Sequence, residues 1–330
     1  MTLRGYIAKR LVYTVVLVIF TIILNWIIFQ AMPGVQGALA ALQGNPRVTP
    51  QGYQNLLDRY GLNASPWERF VNYFWAMLTF NFGTSYNTQH LVVTDMISSG
   101  KLINTIELLG SSTILSIVIG IFLGVIAARK RGSVVDNFWV TASLTTYALP
   151  TFFMGIMFIV IFGIELRWLP TAFVVPATWG PTPPPLLDQI IPRLQHLFLP
   201  MLTLTLFTYG GFLLLTRATM LETLNEDYIV TARAKGLKER TVLFHHALKN
   251  ASLPLVTASA LAFGGVLGGA IITETVFSWD GLGRWLFQAI GSKDFPVMQA
   301  MFYILALAVI IANFVSDLAY GIIDPRVRYD

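Results

Sequence analysis

One polar, charged segment lies between two long apolar runs of the chain: Glu226-Asp-Tyr-Ile-Val-Thr-Ala-Arg-Ala-Lys-Gly236. Asn225 is a good N-cap residue, and the two acidic residues that follow it suit the positive end of a helix dipole. The basic residues near the end of the segment suit the negative end, and Gly236 tolerates the positive φ that often terminates a helix. The segment therefore predicts a helix of about ten residues, and a second helix is predicted over 238–250.

The apolar runs around this segment predict a membrane protein. Of the 330 residues, 55% are hydrophobic and only 12% are charged, which is half the charged share of a soluble domain. A helix needs about 20 apolar residues to cross a bilayer, and it satisfies its own backbone in lipid. The runs that are long enough lie at 11–29, 108–128, 138–164, 197–216, 253–273 and 297–316. We therefore predict an all-α membrane protein with six transmembrane helices.

The distribution of positive charge predicts the orientation of the chain. If the amino terminus is inside, 14 of the 22 Lys and Arg residues lie in the inner segments, and the rest are spread over more sequence. This bias follows the positive-inside rule, so the net charge of +5 reports topology and not nucleic-acid binding. We expect a multi-pass protein of the cell membrane with both termini in the cytoplasm. The first run of 19 residues exceeds a signal-peptide core, so it predicts a retained anchor.

The spans divide the chain into three predicted regions. Residues 1–30 form the cytoplasmic amino terminus and the first span. Residues 31–101 are too many for a plain connector, so they predict a small extracytoplasmic lobe. Residues 102–330 form the remaining helical core, with a cytoplasmic loop at 219–252. In the outer loop 278–295, apolar residues at helical spacing predict a short helix at the membrane interface.

The reactive residues of the chain point away from an enzyme. The chain has no cysteine, no phosphate-binding loop and no metalloprotease or serine-hydrolase motif. We therefore assign no catalytic residue, no metal site and no bound cofactor. His245 and His246 are neighbours that a helix points about 100° apart, as in an ordinary loop. Glu107, Glu274 and Asp317 lie near predicted span ends, where we expect packing roles, although a proton-coupled carrier would need such carboxylates.

The quoted segment has two interpretations. Ala232 and Ala234 keep the predicted helix slim, and Tyr228 and Ile229 give it an apolar anchor, so it could fit a groove in a partner protein. It could also be a solvated connector with well-chosen ends. Composition alone slightly favours the connector.

Longer stretches resemble the permeases of ABC importers, and more narrowly the first permease subunit of the dipeptide/oligopeptide/nickel family. The matching stretches are 227–237, 246–254, Phe82-Gly-Thr-Ser-Tyr86, Glu274-Thr-Val-Phe-Ser-Trp-Asp-Gly-Leu-Gly-Arg284 with Pro296-Val297, and Asp324-Pro-Arg-Val-Arg-Tyr329. The general importer motif begins Glu-Ala-Ala, where this chain has Val230-Thr-Ala232, and its glycine-to-proline spacing is shorter than that from Gly236 to Pro254. Both departures look usual for the peptide branch.

The resemblance implies a type I ABC importer permease fold and a set of partners. A second homologous permease subunit would complete the pathway through the membrane lipid, and an extracytoplasmic solute-binding protein would deliver a dipeptide or oligopeptide. Two ABC ATPase subunits would hold ATP and Mg and would dock on residues 226–236, which we call the coupling segment. Its docking residues are then Glu226, Asp227, Tyr228, Thr231, Ala232, Arg233, Ala234, Lys235 and Gly236. The alternatives are a secondary transporter driven by an ion gradient, whose central carboxylates and inverted repeat are missing or unclear here, and an intramembrane enzyme.

Glycines in the fifth apolar run form two overlapping Gly-x-x-x-Gly pairs. The four residues are Gly264, Gly265, Gly268 and Gly269. Small residues at this spacing let helices approach closely in lipid, so we predict packing against the partner permease, with cargo contact as a secondary role. Gly120 and Gly124 in the second run have the same spacing.

Overall fold

The computed structural model describes residues 3–31, 51, 64–179, 184–265 and 267–323. Within these ranges the secondary structure is helical, apart from one isolated antiparallel bridge between Thr84 and Leu91. The all-α prediction is confirmed for this part of the chain.

The described helices follow one another along the chain. In order they are α1 (Leu3–Ala31), α2 (Pro66–Leu78), α3 (Val92–Ser98), α4 (Lys101–Arg129), α5 (Val134–Ala148), α6 (Thr151–Phe158), α7 (Leu186–Leu224), α8 (Asp227–Ala234), α9 (Glu239–Thr241), α10 (Leu248–Gly265), α11 (Leu267–Val276), α12 (Leu282–Ser292) and α13 (Phe295–Ile323). Two π-helical stretches, Ile159–Glu165 and Val242–Ala247, continue α6 and lead into α10.

Among the described residues, four helices are long and apolar enough to cross a membrane. They are α1, α4, α7 and α13, and a fifth candidate combines α5 with the stretch Thr151–Glu165. These candidates match five of the six predicted runs. The remaining run, 253–273, falls on α10 and α11, which adjoin at position 266, a position outside the described residues.

The third predicted span is bent and not straight. Leu149 is extended (φ −78°, ψ 131°), and the next residue is Pro150. A residue before proline avoids the α conformation, and proline has no N–H to continue the helix ladder. The chain therefore leaves α5 at Ala148 and starts α6 in a new direction, with a bend of 100° between the two halves.

Close packing of α4 against α7 forms the centre of the fold. A Cβ atom on Gly120 would lie 2.4 Å from Phe212 Cβ, and one on Gly124 would lie 2.5 Å from Thr216 Cβ. No side chain fits at these two positions without moving α7. The close helix approach that the spacing of Gly120 and Gly124 predicts is present, but the neighbour is a helix of the same chain and not the partner permease.

The predicted outer region 31–101 is described only in part, and residues 32–50 and 52–63 lie outside the described residues. Ser65 and Glu68 form a capping box that starts α2. Tyr73 and Met77 of α2 are buried in one cluster with Leu286 of α12 and residues of α13. This part of the region therefore shares its core with the long helices.

The short outer helix predicted near 282–290 is present as α12. Its apolar face, including Leu282, Trp285 and Leu286, is buried in the core cluster, while Ile290 is 48% exposed. The apolar spacing thus reflects packing on the protein itself, where we had expected contact with the membrane surface.

Candidate functional site

The coupling segment begins with a tight turn between α7 and α8. Glu226, with φ −76° and ψ 145°, is the N-cap of α8, and its side chain makes no capping hydrogen bond. Asn225 is instead the C-cap of α7, and its N–H donates to Glu222 O at 3.2 Å. The prediction of Asn225 as N-cap was wrong, because α7 continues as far as Leu224 and uses Asn225 for its own end.

The end of α8 is a Schellman motif built on glycine. Gly236 has a φ of +74°. Its N–H donates to Arg233 O at 2.9 Å, and the N–H of Leu237 donates to Ala232 O at 3.4 Å, which is the paired pattern of this motif. The predicted glycine stop is confirmed. An added Cβ at Gly236 would meet nothing within 4 Å, so only the backbone conformation requires glycine.

One face of α8 is seated on the body of the chain. Ile229 is fully buried and Ala232 is 7% exposed. They belong to a cluster that also contains Val125 of α4, Met220 of α7 and Val242. The helix is therefore attached at the point where the ends of α4 and α7 meet.

The other face of α8 is exposed on the surface of the described part of the chain. Of the predicted docking residues, those that are exposed are Glu226, Asp227, Tyr228, Thr231, Arg233, Ala234, Lys235 and Gly236. Ala232 is not among them, because its side chain packs inward. The sequence interpretation missed Val230, which is 60% exposed, and Leu237, which is 40% exposed. The signal was available, because positions 227, 230, 231 and 234 share one face of a helix.

Polar contacts fasten the coupling segment and the neighbouring loop. Asn250 Nδ2 donates to the hydroxyl oxygen of Tyr228 at 2.7 Å, and Arg233 pairs with Glu239 at 3.0 Å on the surface. The predicted second helix 238–250 exists but does not end there. It passes from α9 through the π-helical stretch into α10, which includes Pro254.

A buried ion pair holds the end of α7 to the turn between α4 and α5. Asp136 is 1% exposed. Arg217 donates two hydrogen bonds to it, of 2.6 and 2.8 Å, and the Gly132 N–H donates a third at 2.9 Å. The ion pair therefore joins α7 to the turn between α4 and α5.

Residues 120–329 match the sequence model of the family described as binding-protein-dependent transport system inner membrane component. The chain belongs to this family. It is 33% identical to the oligopeptide transport system permease protein AppB of Bacillus subtilis, over 99% of this chain and 100% of that one. It is 34% identical to the di/tripeptide transport system permease protein DppB of Pseudomonas aeruginosa, over 98% and 99%. Its identity to the dipeptide transport system permease protein DppB of Escherichia coli K12 is 33%, over 98% of each chain.

The family assignment confirms the resemblance seen in the sequence. The chain is the permease subunit of an ABC importer, and it is a multi-pass protein of the membrane. The separate stretches that carried the resemblance can therefore be placed in one permease structure.

Two of these stretches flank α12 in this permease, with 274–284 at its start and 82–86 beside its end. Asp294 is 1% exposed and accepts hydrogen bonds from Ser85 Oγ at 2.6 Å and from the N–H of Tyr86 at 3.1 Å. Trp279 is fully buried, and its Nε1 donates to Asn104 O at 2.9 Å. The segment 82–86 and the segment 274–284 are thus fixed to the same core. Sequence reasoning gave no role to Asp294.

Glu274 anchors the loop that leads into α12. It is fully buried, and its carboxylate accepts hydrogen bonds from Thr105 Oγ1 at 2.8 Å and from the N–H of Arg284 at 2.9 Å. A Cβ on Gly281 would lie 2.5 Å from Glu274 Oε2, so the loop backbone closes directly over the carboxylate. The buried Glu274 side chain therefore holds this loop in place.

The other two carboxylates of interest also have partners. Arg193 donates hydrogen bonds to both carboxylate oxygens of Glu107, and the bond from its Nε to Oε2 is 2.7 Å long. Asp317 forms an ion pair with Arg10 at 3.1 Å. A packing role, which the sequence favoured over proton relay, agrees with these contacts.

Two other sequence hypotheses bear on the same permease. The backbone at Gly264, Gly265, Gly268 and Gly269 is helical, in α10 and α11. The packing predicted for these four glycines falls outside what the structure describes. The rings of His245 and His246 stand at 88° to each other. Among the described residues, no three His, Cys, Asp or Glu side chains are grouped so that they could hold a metal ion.

Proposed function

We propose that this chain is the peptide-type permease subunit of an ATP-driven ABC importer. The observation that carries the proposal is the two-faced helix α8, which is anchored to the chain by Ile229 and exposes a second face at Val230 and Thr231. The relatives named above support a dipeptide or oligopeptide cargo, since each is named as a permease for such peptides and matches nearly the whole chain.

The partners in this proposal each have a defined role. A second homologous permease completes the pathway, two ABC ATPase subunits bind ATP and Mg and dock on the exposed face of α8, and an extracytoplasmic binding protein delivers the peptide. Because Ile229 packs against the ends of α4 and α7, a displacement of α8 is passed to these two helices. ATP and the loaded binding protein would each bias an equilibrium between inward-facing and outward-facing states.

The proposal includes a topology of six spans with both termini in the cytoplasm. The pair α5 and α6 would be the third span, and α10 with α11 would be the fifth. Residues 31–101 would form the extracytoplasmic lobe, and 102–330 the permease core with its cytoplasmic loop 219–252. Gly264, Gly265, Gly268 and Gly269 would then pack against the second permease.

The test is co-purification of the complex, with one substitution on the exposed face of α8. The chain is co-expressed with the second permease, the ATPases and the binding protein encoded beside it, and the complex is placed in liposomes. We expect ATPase activity that rises with peptide-loaded binding protein. Val230→Asp should lose the ATPases, because it puts a charge in the docking face. Val134→Asp is the matched control, since Val134 is 84% exposed at the start of α5, next to the other predicted inner loop.

Two results would refute the proposal. One is a chain that purifies alone and moves solute on an ion gradient, which is the behaviour of a secondary transporter. The other is a Val230→Asp complex that keeps its ATPases and its peptide uptake at wild-type levels, which would remove α8 as the docking site.

A further inference from the structure

The turn between α4 and α5 carries a dense group of positive charges. Arg129, Lys130 and Arg131, which we call the three cations, follow one another there, and all three side chains are exposed. Arg129 is the last residue of α4, one of the candidate spans, so the turn starts where the span ends. In the proposed topology this end of α4 lies on the cytoplasmic side. The three cations then stand at the inner surface of the membrane.

The acidic residue of this stretch is already neutralised. Between positions 129 and 136 the sequence has one carboxylate, Asp136. Its oxygens accept the hydrogen bonds from Arg217 and from the Gly132 N–H. Within the described part of the chain, no ion pair includes any of the three cations. Like charges on neighbouring residues repel one another, so an anion bound at the turn would remove an unfavourable interaction.

An exposed aromatic residue follows the three cations in the second turn of α5. Phe138 is 59% exposed, and its ring meets the Trp139 ring edge to face, with centroids 5.0 Å apart. A helix rises about 1.5 Å per residue, so Phe138 lies about 6 Å along α5 from its first residue. Aromatic residues are enriched at the membrane–water interface, and basic residues on its cytoplasmic side. The turn thus offers positive charge to a headgroup, and α5 offers an apolar surface to the chain attached to it.

We propose that the turn binds the phosphate group of an acidic phospholipid of the inner leaflet, with an acyl chain of that lipid against Phe138. The inference rests on the proposed function, which places the turn at the cytoplasmic surface. Arginine donates paired hydrogen bonds to phosphate oxygens, and lysine binds phosphate as a point charge. A lipid with a zwitterionic headgroup gains less here, because its own ammonium group is repelled by the three cations.

An acidic surface of an ATPase subunit is the competing occupant. It would satisfy the three cations, but the Phe138 ring would then face water or the charged groups of that surface. An acidic phospholipid satisfies both features, because it carries its negative charge and its apolar chains in one molecule. The combination of the three cations with an exposed ring therefore favours the lipid.

The test measures lipid binding to the complete importer in liposomes of phosphatidylcholine. Photoreactive phosphatidylglycerol, with a diazirine in one acyl chain, is added at increasing mole fraction, and its attachment to the peptide that contains Phe138 is measured after illumination. We expect saturable attachment, whereas photoreactive phosphatidylcholine should attach only weakly. Lys130→Gln should raise the half-saturating mole fraction about fivefold, the factor for one cation near the membrane surface. Replacing all three cations by glutamine should reduce attachment to the phosphatidylcholine level.

The matched control is Lys9→Gln, which removes the same charge on the same side of the membrane in the proposed topology. Lys9 is exposed in α1, and α1 packs mainly against α13 and α2. The half-saturating mole fraction for attachment at Phe138 should therefore keep its wild-type value in this variant.

Several outcomes would overturn the inference, and they are distinct. Equal attachment of the two photoreactive lipids at Phe138, or equal half-saturation in Lys130→Gln and Lys9→Gln, would refute the lipid site. Displacement of the probe by soluble glycerol 3-phosphate would show a site for free phosphate compounds. Loss of the ATPases from the triple variant, with lipid attachment unchanged, would assign the turn to a protein partner. None of these results touches the proposed function, which fails only if the wild-type complex in the same liposomes does not take up peptide on ATP.

Discussion

Truncation of Ile229 tests whether α8 acts as a lever because it is seated on α4 and α7. The Ile229 side chain is fully buried among Val125, Met220 and Val242. Replacing such a residue by alanine costs about 2–5 kcal/mol, through lost burial and the cavity left behind. Since α8 lies at the edge of the fold, where neighbours can settle into the gap, we expect about 2–3 kcal/mol. This corresponds to a roughly 30- to 150-fold increase in the opening of α8.

Hydrogen exchange in the purified complex measures this opening directly. The amides of Lys235, Gly236 and Leu237 donate hydrogen bonds at the end of α8, so they should exchange faster in Ile229→Ala by about that factor. The exposed face remains, so the ATPases should still bind. Peptide uptake per ATP hydrolysed should fall, because a loosened helix transmits less motion. Val134→Ala is the control, and we expect its exchange rates to match wild type, since its side chain is 84% exposed and lies outside the coupling segment.

The lever argument fails if Ile229→Ala exchanges faster as expected and yet takes up peptide with wild-type coupling. It fails in another way if exchange at the end of α8 is unchanged, because the packing of Ile229 would then not hold the helix. Loss of ATPase binding in Ile229→Ala would show that the two faces of α8 are not independent.

Three further predictions concern local stability and the energy source of uptake. Gly236→Ala should destabilise the end of α8 by about 1–2 kcal/mol, because alanine is strained at positive φ, whereas Gly110→Ala, in a helix with open space around it, should stabilise by about 0.5–1 kcal/mol in the same thermal unfolding assay. Arg217→Ala should lower stability by about 1–3 kcal/mol, because Asp136 would lose its charged partner, although Arg217 itself is partly exposed; an unchanged stability would contradict this argument. Glu274→Gln should cost about 1–3 kcal/mol, because its amide would face an N–H that now donates to a carboxylate, but ATP-driven uptake should persist when the proton gradient is collapsed; uptake that requires the gradient would point to proton transport.

The sequence predicted the ends of elements well where a single residue decides the backbone. Gly236 terminates α8 as expected, because a positive φ is a local property of glycine. Asn225 was misassigned, because its capping preference is equally satisfied by the end of the preceding helix. Pro150 breaks the third span while Pro254 lies within α10, and the proline signal alone does not distinguish the two cases.

Contacts between distant parts of the chain could not be predicted from the sequence. The inward packing of Ala232 depends on how α4, α7 and the loop after α7 come together. A pattern of small or polar residues does not determine which neighbouring element packs against those residues. For the same reason Asp294 escaped notice, since its partner Ser85 lies more than 200 positions away.

The pair formed by α4 and α7 connects the loop at Glu274 with the base of α8. At one end of α4, Thr105 donates a hydrogen bond to Glu274, and near the other end Val125 packs in one cluster with Ile229 of α8. The glycine contacts at Gly120 and Gly124 leave no room for α4 to tilt independently of α7 in this region. Under the proposed function, a displacement of α8 would therefore move α4, α7 and the outer loop at Glu274 together, which is the behaviour that alternating access requires of a rigid element.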